Sequence, residues 1–80
     1  MKARVVVRLK PEVHDPQGET IRGTLEALGY GKVQEVRQGK TFELSLQASS
    51  REEAEAMARD IAERVLANPV LETFEVELHD

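Results

Sequence analysis

Residues 32–47 read KVQEVRQGKTFELSLQ, and the number of strands in the fold depends on how this stretch is divided. In its second half Phe42, Leu44 and Leu46 alternate with Thr41, Glu43, Ser45 and Gln47, the period-two pattern of a half-buried strand. In its first half Val33 and Val36 lie three apart, which breaks the alternation and predicts an irregular or bulged strand leading into Arg37. Gln38, Gly39 and Lys40 read as a tight connection in which glycine supplies a positive φ, so the stretch as a whole predicts a β-hairpin.

Upstream, Val5, Val7 and Leu9 alternate with Arg4, Arg8 and Lys10, a strand that Pro11 ends because proline brings no N–H to a ladder. Val6 is apolar on the otherwise charged side. Asp15 followed by Pro16 predicts a helix start, with Ile21, Leu25 and Leu28 on one face and Gly29 closing it, over about residues 16–28. Downstream, Ser50 and Glu53 match a capping box, and Ala54, Met57, Ala58, Ile61, Ala62, Val65 and Leu66 continue as an apolar helical stripe. Asn68 and Pro69 stop that helix. A last strand buries Phe74, Val76 and Leu78 and shows Glu75, Glu77 and His79.

The order is βαββαβ. Short, right-handed, un-knotted connections then predict an α+β two-layer sandwich of the ferredoxin-like kind, one four-stranded antiparallel sheet with two helices on one face. First and last strands would be neighbours, placing Arg4 and Arg8 near Glu75 and Glu77, opposite charges worth about 0.2 to 1 kcal/mol per cross-strand pair. The other sheet face, charged but carrying Val6, suits a surface that docks on another subunit.

A single domain spanning residues 1–80 accounts for the length, and a domain of this size buries only about 60 to 65% of the surface of its unfolded chain. There is no cysteine to reinforce the core, so oligomerisation is the expected route to stability. No segment has the length of a bilayer span and the amino terminus has no apolar run of signal-peptide length, so a cytoplasmic protein is expected. The net charge of -4 argues against tracking nucleic-acid phosphates, and one Tyr, two Phe and no Trp leave few platforms for bases.

No nucleophile stands with a base and no ligand cluster is spaced for a metal. His14 and His79, the only histidines, read as exposed or locally hydrogen-bonded. Ser49 and Ser50 lack the G-x-S-x-G context and read as caps, and Glu52, Glu53 and Glu55 lie in the first helical turns, where the helix dipole favours acids. Two clusters stay open between a structural and a binding role. Asp15, Pro16, Gln17 and Gly18 place a glycine early in a helix, where it costs about 1 kcal/mol relative to alanine. They read either as a plain helix start or as a set of free N–H groups for an anion or a partner's carboxylate. Val36, Arg37, Gln38, Gly39 and Lys40 read either as a solvated turn or as a basic tip that enters an acidic cleft of a neighbour.

Four motifs together resemble the PurS family, the small subunits of bacterial phosphoribosylformylglycinamidine synthase. They are V-x-V-x-L-K at Val5, Val7, Leu9 and Lys10, D-P-Q-G from Asp15 to Gly18, V-R-x-G-K from Val36 to Lys40, and L-A-N-x-V from Leu66 to Val70, followed by Glu72 and Phe74. The resemblance implies a non-catalytic subunit of an ATP-dependent, glutamine-fed carbon–nitrogen ligase of purine biosynthesis. Such a subunit sits between a glutaminase and a large synthetase, assists ammonia transfer and forms a homodimer or homotetramer. It implies that Asp15, Gln17, Gly18, Arg37, Gly39 and Lys40 are interface residues, that this chain holds no cofactor, and that ATP and magnesium belong to the large subunit. A small-molecule-sensing module of the ACT type is the competing expectation. An RNA-binding module fits poorly, because residues 41–47 offer one aromatic and no basic-aromatic pattern.

Overall fold

The computed structural model describes residues 1–79. The elements are β1 (Lys2–Leu9), α1 (Pro16–Ala27), β2 (Lys40–Ser45), α2 (Arg51–Ile61) and β3 (Glu72–His79). The strands form one antiparallel sheet in the order β2-β1-β3. First and last strands are neighbours, with Arg4 opposite Glu77 and Val5 opposite Val76. Arg4 nevertheless bonds Glu43 on β2, at 3.2 Å, and Arg8 reaches Glu75, at 2.9 Å. Both pairs are exposed and contribute little.

The expected four-stranded sheet is not what the chain forms, and the expected hairpin over residues 32–47 is absent with it. The sheet has three strands, and residues 33–39 belong to none of them. The reason lies at 38–39. Gly29, with φ +99, is the one glycine of positive φ among the described residues, so Gly39 does not reverse the chain. The Gln38 N–H donates to the Asp15 carboxylate instead of a ladder, and Gly39 passes close to the Val7 carbonyl.

The two helices are unequal. The Ser50 hydroxyl caps α2 by accepting from Glu53 N–H at 3.1 Å, while the Glu53 carboxylate reaches back to Ser49 rather than to the cap residue itself. We expect Ser50→Ala to lower stability by about 1 kcal/mol in chemical denaturation. Beyond Ile61 the helix widens for one turn, Ala67 N–H reaching the Ala62 carbonyl five residues back at 2.9 Å, and Ala67 then turns extended ahead of Pro69. The alanine stripe lets α2 lie close on β1 and β3, and Ala54, Ala58 and Ala62 are fully buried there. Val5 and Val7 are the largest fully buried side chains, so the core is thin.

The first helix has no such bed. It makes no comparable layer with any strand. Ile21 is 41% and Leu28 69% exposed, whereas Arg22 on the polar side bridges Glu19 and Glu26, both at 2.8 Å. Together α1 and residues 28–39 form an arm that leaves the body of the molecule. The chain measures 51 × 27 × 14 Å with a radius of gyration of 16.0 Å, against about 11.6 Å for a compact domain of this length. Its accessible surface is 5887 Å², roughly 1,000 Å² more than the ~4,850 Å² of a compact monomer of this mass.

Candidate functional site

The two motifs that sequence reading treated separately meet in one corner at the root of the arm. Asp15 has extended backbone angles, φ -113 and ψ 93, as a helix N-cap should, and Pro16 follows in the first helical turn. One oxygen of its carboxylate accepts from Gly18 N–H at 2.9 Å and the other from Gln38 N–H at 2.6 Å. The side chain thus fastens the start of α1 to the chain entering β2, and the residue is only 5% exposed. The Gln38 N–H bond, then that of Gly18, lowers the Asp15 pKa against the opposing effect of desolvation, and the Arg37 charge adds to the lowering.

Gly18 acquires its reason here. A Cβ at that position would stand 2.1 Å from the Val36 carbonyl oxygen, so only glycine lets the two backbones approach. Gly39 plays the same part against β1, where a Cβ would stand 2.7 Å from the Val7 carbonyl oxygen. The Arg37 guanidinium donates to the Lys10 carbonyl at 2.9 Å and so ties the arm's base to the end of β1. Lys40 lies 3.6 Å from the Glu72 carboxylate and over the Phe42 ring, and Gln17 stays exposed at the helix start.

Two clefts flank the crossing. The larger, about 360 Å³, has Arg8, Pro11, Glu35, Arg37, Gln38 and Gly39 among its lining residues. The smaller, about 230 Å³, has Asp15, Gln17, Gly39, Lys40 and Glu72 among its lining residues. All six residues expected at an interface therefore gather in one place, in two roles. Asp15, Gly18 and Gly39 hold the frame, and Gln17, Arg37 and Lys40 face outward. Sequence reading missed Lys10, Val36 and Gln38 as working parts because they act through a carbonyl or an N–H, and every residue type offers those.

His14 and His79 are exposed, and His79 stands 4.0 Å from Glu77. Ser49 and Ser50 are engaged at the start of α2. Among the described residues no group of three or more His, Cys, Asp or Glu side chains is placed to hold a metal ion. Nor is any helix there long and apolar enough to cross a membrane. The corner is thus a preorganised set of main-chain contacts edged by the cations Arg37 and Lys40, on a chain whose first helix makes no comparable layer with the sheet.

The chain belongs to the PurS family, whose family model, described as phosphoribosylformylglycinamidine (FGAM) synthase, matches residues 2–80. The PurS subunit of that synthase from Bacillus subtilis is 37% identical over 79 residues, covering 99% of this chain and 93% of its own. The crystal structure of Methanocaldococcus jannaschii PurS, described as one of the subunits of formylglycinamide ribonucleotide amidotransferase in the purine biosynthetic pathway, superposes with a TM-score of 0.87. It is 30% identical and covers 99% of this chain and 95% of its own. A chain in the structure of PurLQS from Thermotoga maritima also reaches a TM-score of 0.87, at 34% identity over 95% of this chain and 93% of its own.

Proposed function

We propose that this chain is the non-catalytic PurS subunit of a phosphoribosylformylglycinamidine synthase, seated between a glutaminase and an ATP-dependent synthetase, where it assists the transfer of ammonia. The observation that carries this reading is its likeness, over nearly its full length, to a chain of a PurLQS assembly. The chemistry explains why such a subunit is useful. Ammonia released into water at neutral pH is protonated, and ammonium has no lone pair with which to attack an activated amide. Holding the releasing and the consuming sites together shelters the nucleophile until it reacts. ATP and magnesium serve the large subunit in this reading, and the work is done in the cytoplasm, where soluble nucleotides are made.

The outward residues of the corner, Gln17, Arg37 and Lys40, are the surface offered to the larger subunits, and Asp15, Gly18 and Gly39 keep that surface in shape. Arg37 and Lys40 are cations on a molecule of net charge -4, so they mark a locally distinct patch that an acidic partner can recognise. Arg37→Glu combined with Lys40→Glu should lower affinity for the glutaminase–synthetase pair at least tenfold while leaving the far-ultraviolet circular dichroism unchanged. Sedimentation of the three-component mixture reads the result. Undiminished assembly of the double variant would remove the corner from the interface, and failure of the unaltered chain to join the complex would overturn the functional reading.

A further inference from the structure

The larger of the two clefts at the root of the arm is lined by charges that the corner itself leaves unpaired. Of its two arginines, Arg8 is already met by the Glu75 carboxylate at 2.9 Å. Arg37 is met by no acid in this way. Its hydrogen bond runs to the Lys10 carbonyl at 2.9 Å, which fixes the guanidinium and leaves its other N–H groups free. Its charge does act on Asp15, but both oxygens of that carboxylate are engaged by main-chain N–H groups. Glu35, also on the lining, has neither a hydrogen bond nor an ion pair among the described residues, so Arg37 and Glu35, two positions apart, form no bridge with each other.

The smaller cleft offers no such pair. Its Asp15 carboxylate is taken up by the Gly18 and Gln38 N–H groups, and its Lys40 stands 3.6 Å from Glu72. In the larger cleft the unpaired acid and base are joined by the apolar Leu9 and Pro11 and by Gln38, whose side-chain amide makes no bond among the described residues. Its volume of about 360 Å³ equals the liquid share of about twelve waters at ~30 Å³ each, which is room for a ligand of about ten non-hydrogen atoms and too little for a nucleotide. We propose that this cleft binds a free α-amino acid, its carboxylate on Arg37, its ammonium group on Glu35 and an uncharged side chain along Leu9 and Pro11.

Charge decides between this ligand and a simple ion. A phosphate or a lone carboxylate would meet Glu35 as a like charge, and an amine alone would meet Arg37 as one. A zwitterion answers both, and each contact is then a charge-assisted hydrogen bond. The frame that carries the two groups is already set. The Gln38 N–H is held by Asp15 at 2.6 Å, the Arg37 guanidinium by the Lys10 carbonyl, and Gly39 passes close to the Val7 carbonyl. Little of the main chain therefore has to be ordered when the ligand arrives.

The test is a heteronuclear NMR titration of the purified full chain with glutamine and with leucine, alongside N-acetylglutamine, which has no ammonium group, and inorganic phosphate. The two free amino acids should give saturable shifts centred on the amides of Leu9 and of residues 35–39. N-acetylglutamine and phosphate should bind at least tenfold more weakly. Glu35→Gln removes a charge that has no partner within the chain, so it should fold, and it should weaken amino-acid binding at least tenfold. Arg37→Gln should do the same, with circular dichroism as the check on its fold. The proposal is overturned if neither amino acid gives a saturable shift, or if the shifts centre elsewhere on the chain. It is also overturned if phosphate or N-acetylglutamine binds as tightly as glutamine, or if Glu35→Gln binds glutamine undiminished, since the cleft would then be an anion site. The titration is read without the partner subunits, so its failure would leave their assembly to be judged separately.

Discussion

Gly18→Ala is expected to lower the thermal midpoint by about 8 to 16 °C, although the substitution favours a helix. Two effects oppose each other. Alanine gains about 1 kcal/mol of helix propensity over glycine. Its methyl group, however, would stand 2.1 Å from the Val36 carbonyl oxygen, a main-chain atom that no side-chain rotation can move aside. Overpacking of this kind costs about 3 kcal/mol at the upper end, so the clash wins by roughly 2 kcal/mol. Gly23, on the same helix with nothing within 4 Å of its missing Cβ, supplies the control. Gly23→Ala should raise stability by up to about 1 kcal/mol. Thermal unfolding of the two variants side by side decides the matter, and a stabilised Gly18→Ala would mean that the corner is looser than described.

The second large effect is expected at Asp15. Asp15→Ala removes two acceptors at once and leaves the Gly18 and Gln38 N–H groups without the partner each now has. It should reduce the midpoint more than removal of any carboxylate engaged only in a surface ion pair, such as Glu43 or Glu75. Asp15→Asn should fall between, since an amide keeps one acceptor oxygen and loses the other. The same carboxylate gives the fold an acid limit. Its pKa is lowered on folding, so the unfolded chain binds its proton more readily. The stability it contributes is therefore complete above the ordinary carboxylate pKa, declines as the pH falls from there towards the lower folded value, and is gone below that value. In Asp15→Ala that component of the pH dependence should vanish, which denaturation at a series of acid pH values reads directly.

The contrast between the helices and residues 32–39 shows what a sequence can disclose. Caps are local: Asp15 and Ser50 each act on a group three residues away, and both are legible. So is the alternation of Phe42 and Leu44, because period two records an extended backbone with one buried side. What alternation does not record is the partner. Val33 and Val36 are half-buried, yet residues 33–36 belong to no strand, so the apolar positions there record partial burial and mislead about the sheet.

The corner at the root of the arm divides in the same way. Gly18 was visible as a glycine where a helix disfavours one, and that conflict marked a close approach. The groups it approaches were invisible, since the Val36 carbonyl and the Gln38 N–H differ in nothing from those of any other residue. The outward positions Gln17, Arg37 and Lys40 were legible as chemistry, but only the fold shows that residues some twenty positions apart share one rim.

That this chain contributes to a reaction through the neighbours it holds, and through no chemistry of its own, is open to direct test. The sharpest measurement compares synthesis of formylglycinamidine ribonucleotide fed by glutamine with synthesis fed by ammonium salt, each with and without the chain, using the glutaminase and synthetase of the same organism. Adding the chain should raise the glutamine-fed rate at least tenfold and change the ammonium-fed rate far less. Equal glutamine-fed rates with and without it would contradict the account, as would turnover by the chain unaided.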